Sequence, residues 1–290
     1  MKIIIGENKV KSLKKVRHTN ELNATLSSIP ISAKRVLFLA LSQINSTKEI
    51  KINDAIYISA SEYSSITGTD IKNSYRHLKD GADILASIGL RLEKEEVKSI
   101  QKMIGLKGEP SHIRLSLMDY CAYLPDEGRV AIRFSSAAAH YISSIIGTER
   151  KYTTQALISV VMLSTTHSTT LYQLIRKMIG LSIHRYGNSF SISINDLRRE
   201  MGLVDENGEL TWPEYPIFKR DVLNKAIKEI SEKTEINNLT FEVSGKIGRK
   251  VSDLRFTYNV DEDKFKNSFK SEGDKFLDEF DKLFPPEGNQ

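Results

Sequence analysis

The clearest candidate chemistry in the chain lies in WPEYPIFKRDVLNKAIKEISEKT, Trp212 to Thr234, which carries Lys219, Arg220, Asn224, Lys225 and Lys228. On a helix of about 3.6 residues per turn, Phe218, Val222, Leu223, Ala226, Ile227 and Ile230 fall on one side. Arg220, Asp221, Asn224, Lys228 and Ser231 fall on the other, with Lys225 at its edge. The apolar side must pack on other elements. The polar side presents donors suited to base edges: arginine pairs with guanine O6 and N7, asparagine with adenine N6 and N7. Pro213 and Pro216 mark the beginning of the helix and place Lys219 and Arg220 in its first turn. Cations there oppose the macrodipole. Compensating negative charge is therefore expected from outside the helix, as DNA phosphates would supply it.

The elements that would position this helix occur twice. YISASEYSSITG (Tyr57–Gly68) and SISINDLRREMG (Ser191–Gly202) align without gaps, about 134 residues apart. Ser59 meets Ser193, Glu62 meets Asp196 and Gly68 meets Gly202. Each copy reads as a β-prone stretch entering a capped helix, with Ser61 or Asn195 as the N-cap and glycine at a left-handed C-cap. An apolar helix precedes each copy (Ser32–Ile44, Thr170–Gly180). A second helix follows each (Asp70–Ile88, Trp212–Thr234), and then a hairpin. This order is that of a winged helix-turn-helix, so the expected class is α+β with two tandem winged-helix domains. The expected division is residues 1–147, 151–260 and an acidic tail at 261–290.

The second hairpin turns at KIGRK, where Lys246, Arg249 and Lys250 form a basic wing tip for neighbouring phosphates or the minor groove. In the first copy, Lys72, Asn73, Arg76 and Lys79 are the corresponding candidates, read as scattered around their helix. That domain is expected to bind DNA weakly or to serve mainly as a protein interface. Arg91–Pro110 reads as a flexible insertion touching the backbone through Lys98, Lys102 and Lys107.

Charge supports a polyanionic partner. The chain carries +5 overall, but the last thirty residues hold nine acids and five lysines, leaving +9 on the first 260. A single cysteine, Cys121, excludes an internal disulfide and a zinc ribbon and fits a reducing compartment. No apolar run approaches a membrane span, and a cytoplasmic protein without membrane attachment is expected. The six histidines contain no His-x-His pair for a metal-dependent nicking tyrosine, and no Gly-x-x-x-x-Gly-Lys-Ser/Thr loop is present. Neither a catalytic residue, a metal site nor a cofactor is expected. A DNA-binding role without catalysis is favoured; a plain transcriptional repressor and a nicking enzyme are the alternatives.

With these residues in view, the chain resembles the iteron-binding plasmid replication initiator (Rep) family from about Val16 to Val260. The resemblance is carried by NELNATLSSIPISAKRVLFLALSQI, GRVAIRFSSAAAHYI, TTLYQLIRKMIG, SFSISINDLRREMG, YPIFKRDVLNKAIKEISEKT and GRKVSDLRF in that order. It implies recognition of direct repeats at an origin by double-stranded DNA binding, duplex opening, and recruitment of host initiator and helicase. It also implies homodimers, joined through the first domain, that bind an operator inverted repeat and repress the initiator's own gene. Lys219, Arg220 and Asn224 match the family's base-reading helix. Leu203–Glu214 departs from the family as a long turn. In the tail, Phe276, Leu277, Phe280, Leu283 and Phe284 share a helical face, which reads as a helix docked back on the second domain, as an acidic flap competing with DNA, or as a partner peptide whose FDKLF loosely resembles the Leu-Phe motifs that dock on the bacterial sliding clamp.

Overall fold

The computed structural model describes residues 15–267 apart from 47, 51–53, 91–93, 109, 111–112, 114, 144–150, 182–187 and 206–207. The tail beyond 267 lies outside the described residues. The expected α+β class holds, and the internal repeat is visible as topology. In the first unit, β2 (Ile56–Ser59), α3 (Ala60–Thr67) and α4 (Ile71–Ser87) lead to the hairpin β5 (Met118–Leu124) and β6 (Arg129–Phe134). In the second, β8 (Ser189–Ser193) and α9 (Ile194–Glu200) lead to a long helix and the hairpin β9 (Ile236–Ile247) and β10 (Lys250–Val260). Both sheets have three strands in matching order, β2-β6-β5 and β8-β10-β9, all antiparallel.

The helix caps sit two residues earlier than expected. Ser59 Oγ accepts from Glu62 N at 3.1 Å, and Ser193 Oγ from Asp196 N at 3.1 Å. Ser61 and Asn195 already lie inside their helices. An acid three residues after a serine is the capping-box spacing, and here it sets the start of both helices. Gly68 (φ 68°) and Gly202 (φ 67°) stand in the left-handed region just past each helix. Gly202 also approaches Ser27 closely: a Cβ there would meet the Ser27 carbonyl oxygen at 2.8 Å.

The remaining elements join the two units. β1 (Lys15–Thr19) pairs antiparallel with β7 (Tyr152–Ala156), in register from Lys15↔Ala156 to Thr19↔Tyr152. The expected linker, Gly147–Thr154, lies partly outside the described residues, and its last three residues are in this strand. α1 (Leu22–Ser27) and α2 (Ile31–Ser42) pack with α7 (Leu157–Met162) and α8 (Thr166–Leu181) in one continuous buried core. Two cations of α2 cross that seam. Lys34, fully buried, donates to Thr170 Oγ1 at 2.7 Å and to Gln173 Oε1 at 3.4 Å. Arg35 donates to the carbonyls of Val161 (3.0 Å) and Leu163 (2.9 Å), closing the end of α7. The segment expected to be a flexible insertion contains α5 (Lys94–Met103), anchored by buried Ile100, between the short strands β3 (Gly89–Leu90) and β4 (Leu115–Ser116). α6 (Ser136–Ile142) follows the first hairpin, capped by Ser135.

A buried carboxylate ties the second unit to the rest. Glu235, 1% exposed, begins the approach to β9. It accepts from Ser159 Oγ of α7 (2.6 Å), Tyr172 OH of α8 (2.8 Å) and Arg176 Nη1 of α8 (3.3 Å). Arg176 Nε in turn donates to the Thr154 carbonyl of β7 at 2.9 Å. The guanidinium lies 3.9 Å from the ring centre of Phe265 in α12 (Glu262–Asn267).

Two expectations test this core. Replacing Glu235 with alanine strands a buried arginine and should destabilise the fold by about 3–5 kcal/mol, measured by urea denaturation. Stability should also climb with pH in two windows. Burial pulls His18 down from 6.5 to about 4; its Nδ1 faces the Thr19 carbonyl and its Nε2 faces Gln155. Burial pulls Lys34 down from 10.5 to about 7. Within each window the unfolded chain holds a proton that the folded chain has shed, so raising pH favours folding. Lys34→Met should flatten the rise above pH 7 and leave the lower one in place.

Candidate nucleic-acid interface

The base-reading candidate is one continuous helix with an irregular second turn. It runs as α10 (Tyr215–Phe218), a wide turn at Lys219–Leu223 and α11 (Asn224–Lys233). In the wide turn the Asn224 N–H bonds the Lys219 carbonyl five residues back rather than four. Such turns insert one residue into a helix and concentrate at functional sites. The helix begins at Tyr215, so Lys219 and Arg220 stand past the first turn, not within it as expected.

The helix is held from beneath by α9. Arg198, 5% exposed, donates through Nη2 to the carbonyls of Trp212 (2.8 Å) and Pro213 (2.9 Å). Its guanidinium lies 5.2 Å from the ring centre of Phe218. The described residues of the connection that departs from the family pattern, 203–205 and 208–214, fold back on this unit. Thr211 N bonds the Leu203 carbonyl, and Trp212 meets His167 edge to face. α9 is fixed to α8 by Lys177 on Glu200 at 2.6 Å. At the far end, Glu229 accepts from Ser164 N (2.8 Å) and from Lys233 Nζ (2.6 Å). Phe218, Val222, Leu223, Ala226 and Ile230 are buried, as the periodicity required. Complete burial of Phe218 alone is worth about 1.5–3 kcal/mol.

Every predicted residue of this helix faces solvent. Lys219, Arg220, Asn224, Lys225 and Lys228 are all exposed. Lys219 Nζ stands 5.7 Å from the ring centre of Phe241 on β9, which links the helix to the wing sheet. Arg220 is 72% exposed and donates to Asp221 Oδ2 from Nη2 (2.6 Å) and Nε (3.2 Å). Lys225 Nζ lies 3.2 Å from Asp221 Oδ1. The hydrogen bonds from Arg220 and then Lys225 hold the Asp221 carboxyl down at about 2. The negative charge expected from outside the helix is thus partly supplied within it.

The wing rests on an aromatic ladder. Phe190, Phe256 and Phe241 lie across β8, β10 and β9, with ring centres 5.2 and 5.8 Å apart. Beyond it the ladder shifts register around Val251 and Asp253, then closes at Lys250↔Ile247. Gly248 (φ 61°) makes the turn. Lys246, Arg249 and Lys250 are exposed around this tip, as expected. In the first unit Lys72, Arg76 and Lys79 share one exposed face of α4, while Asn73 and His77 lie half-buried beside it, with Asp80 and Asp83 also exposed on that helix. Asn73 bonds Asp70, the α4 N-cap, and accepts from Arg76 Nη2 at 2.9 Å. Cys121 is half-buried, and burial and then Asp83 push its thiol up to about 11, far from a nucleophilic thiolate at neutral pH.

This arrangement has known counterparts. Residues 15–176 match the family described as initiator replication protein, WH1, and residues 193–258 match initiator Rep protein, WH2. The chain belongs to the replication initiator (Rep) protein family. The PI protein of Escherichia coli is 38% identical over 303 residues, covering 99% of this chain and 98% of that protein. The crystal structure of Pi initiator protein in complex with iteron DNA has a TM-score of 0.77 with this fold. It is 38% identical, and the match covers 87% of this chain and 99% of that one. Among the described residues, no helix of this initiator is long and apolar enough to cross a membrane.

Two residues that position the interface, Arg198 and Asp221, were not singled out by sequence reasoning. Arg198 lacked any local signal, since its partners are carbonyls in an irregular turn. Asp221 carried one: it is an acid on the face expected to meet phosphates. Arg198→Ala should cost about 1.5–3 kcal/mol of stability through its charged hydrogen bonds. Weakened repeat binding should accompany this even at temperatures where circular dichroism shows the variant folded.

Proposed function

We propose that this chain is a plasmid replication initiator that binds iteron repeats at its origin through the helix Tyr215–Lys233. The observation that carries the reading is the exposed donor face of that helix, anchored by Arg198 beside a basic wing, in a protein 38% identical to one solved on iteron DNA. In helix-turn-helix proteins the start of the second helix enters the major groove. Arg220 and Asn224 are then the base readers, Lys225 and Lys228 flank them, and Lys246, Arg249 and Lys250 contact backbone. Lys72, Asn73, Arg76 and Lys79 of α4 provide secondary contacts. Family membership supports the further proposal that the protein opens the duplex and recruits host initiator and helicase. Membership also supports dimerisation through the first unit on an operator inverted repeat. Plain repression without initiation is the reading to be separated from this one.

Footprinting on the DNA flanking the gene separates them: several protected direct repeats are expected, and a lone protected inverted repeat would favour repression alone. Arg220→Ala should weaken repeat binding by about 1–3 kcal/mol and relax preference at one base position, read from affinities for single-base variants at fixed salt. Neutralising Lys246, Arg249 or Lys250 should weaken all duplexes alike and lower the salt slope by about one unit. A loss confined to the cognate repeat would show that the wing reads sequence.

A further inference from the structure

An acid on a DNA-reading face requires a reason. Asp221 sits between Arg220 and Lys225, where phosphates would repel it, yet its side chain is oriented and only 21% exposed. Adjacent residues on a regular helix do not face each other. The wide turn at Lys219–Leu223 changes that local geometry, and in it Arg220 and Asp221 meet through two hydrogen bonds.

We propose that Asp221 is a specificity-determining residue that buttresses Arg220 for guanine. The proposal rests on the groove reading given above. A guanidinium has five N–H donors in a fixed plane. Asp221 occupies the edge formed by Nε and one hydrogen of Nη2. The opposite end, formed by Nη1 and the second hydrogen of Nη2, stays free, and it has the forked geometry that pairs with guanine O6 and N7. A long, unbuttressed arginine at 72% exposure could instead swing to a phosphate and contribute affinity without sequence information. The second carboxylate oxygen restrains Lys225 in the same way. One negative charge therefore lowers the attraction of both cations for backbone generally while fixing one of them on a base.

The consequence is a pair of effects with opposite signs. Asp221→Ala and the isosteric Asp221→Asn should bind unrelated duplex more tightly, with a salt slope steeper by up to about one unit. Both should lose about tenfold of the preference for the cognate base at the position read by Arg220. The preference is a ratio of affinities, and either variant alone decides it if the other folds poorly. The double variant Arg220→Ala/Asp221→Ala should show no further change in base preference beyond Arg220→Ala, since the acid acts through the arginine. If affinities for cognate and unrelated duplex rise by the same factor and the preference is kept, Asp221 is only a charge near DNA and the proposal fails. If Arg220→Ala itself leaves every base preference unchanged, the groove reading fails. If Arg220→Ala relaxes the preference and the Asp221 variants do not, the buttress alone is wrong.

Discussion

The buried carboxylate of Glu235 is the interaction on which the rest of the arrangement depends. It stands where the helix Tyr215–Lys233 ends and the second hairpin begins, and it accepts hydrogen bonds from α7 and from two residues of α8. A carboxylate out of water is costly unless fully partnered. Its partners therefore fix the relative placement of three elements at once. Through Arg176 the same network reaches β7, and β7 pairs with the first strand of the chain. Helix and wing are consequently referenced to one frame. Under the proposed groove reading, such a frame would hold Arg220 in place against a base edge.

The seam between the units uses the same logic with the opposite charge. Lys34 is buried between α2 and α8 and donates to two neutral oxygens. Burial alone brings its ammonium near neutrality at physiological pH. A lysine so placed contributes directional hydrogen bonds across the seam at a cost in stability, which apolar packing around Val36, Leu37 and Leu174 offsets.

The two faces of the helix Tyr215–Lys233 are built differently. Its lower face is held by apolar burial, by Arg198 at the start and by Glu229 at the end. The upper face is left with cations, the Asn224 amide, and the acids Asp221 and Glu232. Stability thus rests on the lower face, so the exposed side chains of the upper face can change without unfolding the protein.

Local physics made much of this legible in the sequence. The aligned repeat, the two C-cap glycines and the 3.6-residue apolar period depend only on neighbours a few positions apart. The winged-helix order and the exposed donors could both be read from them. The tertiary structure alone decided three things. The cap positions shifted by two residues because Ser59 and Ser193, not the next serine or asparagine, had the extended backbone that an N-cap needs. The end of the expected linker became a strand paired with residues more than 130 positions earlier, because an exposed run of N–H and C=O groups found its partner there. The extra residue in the turn at Lys219–Leu223 brought Arg220 and Asp221 together, and no helical period encodes it. Sequence patterns report what a residue prefers near itself. Pairings across distant segments, and the placement of a wide turn, exist only once the whole chain is packed.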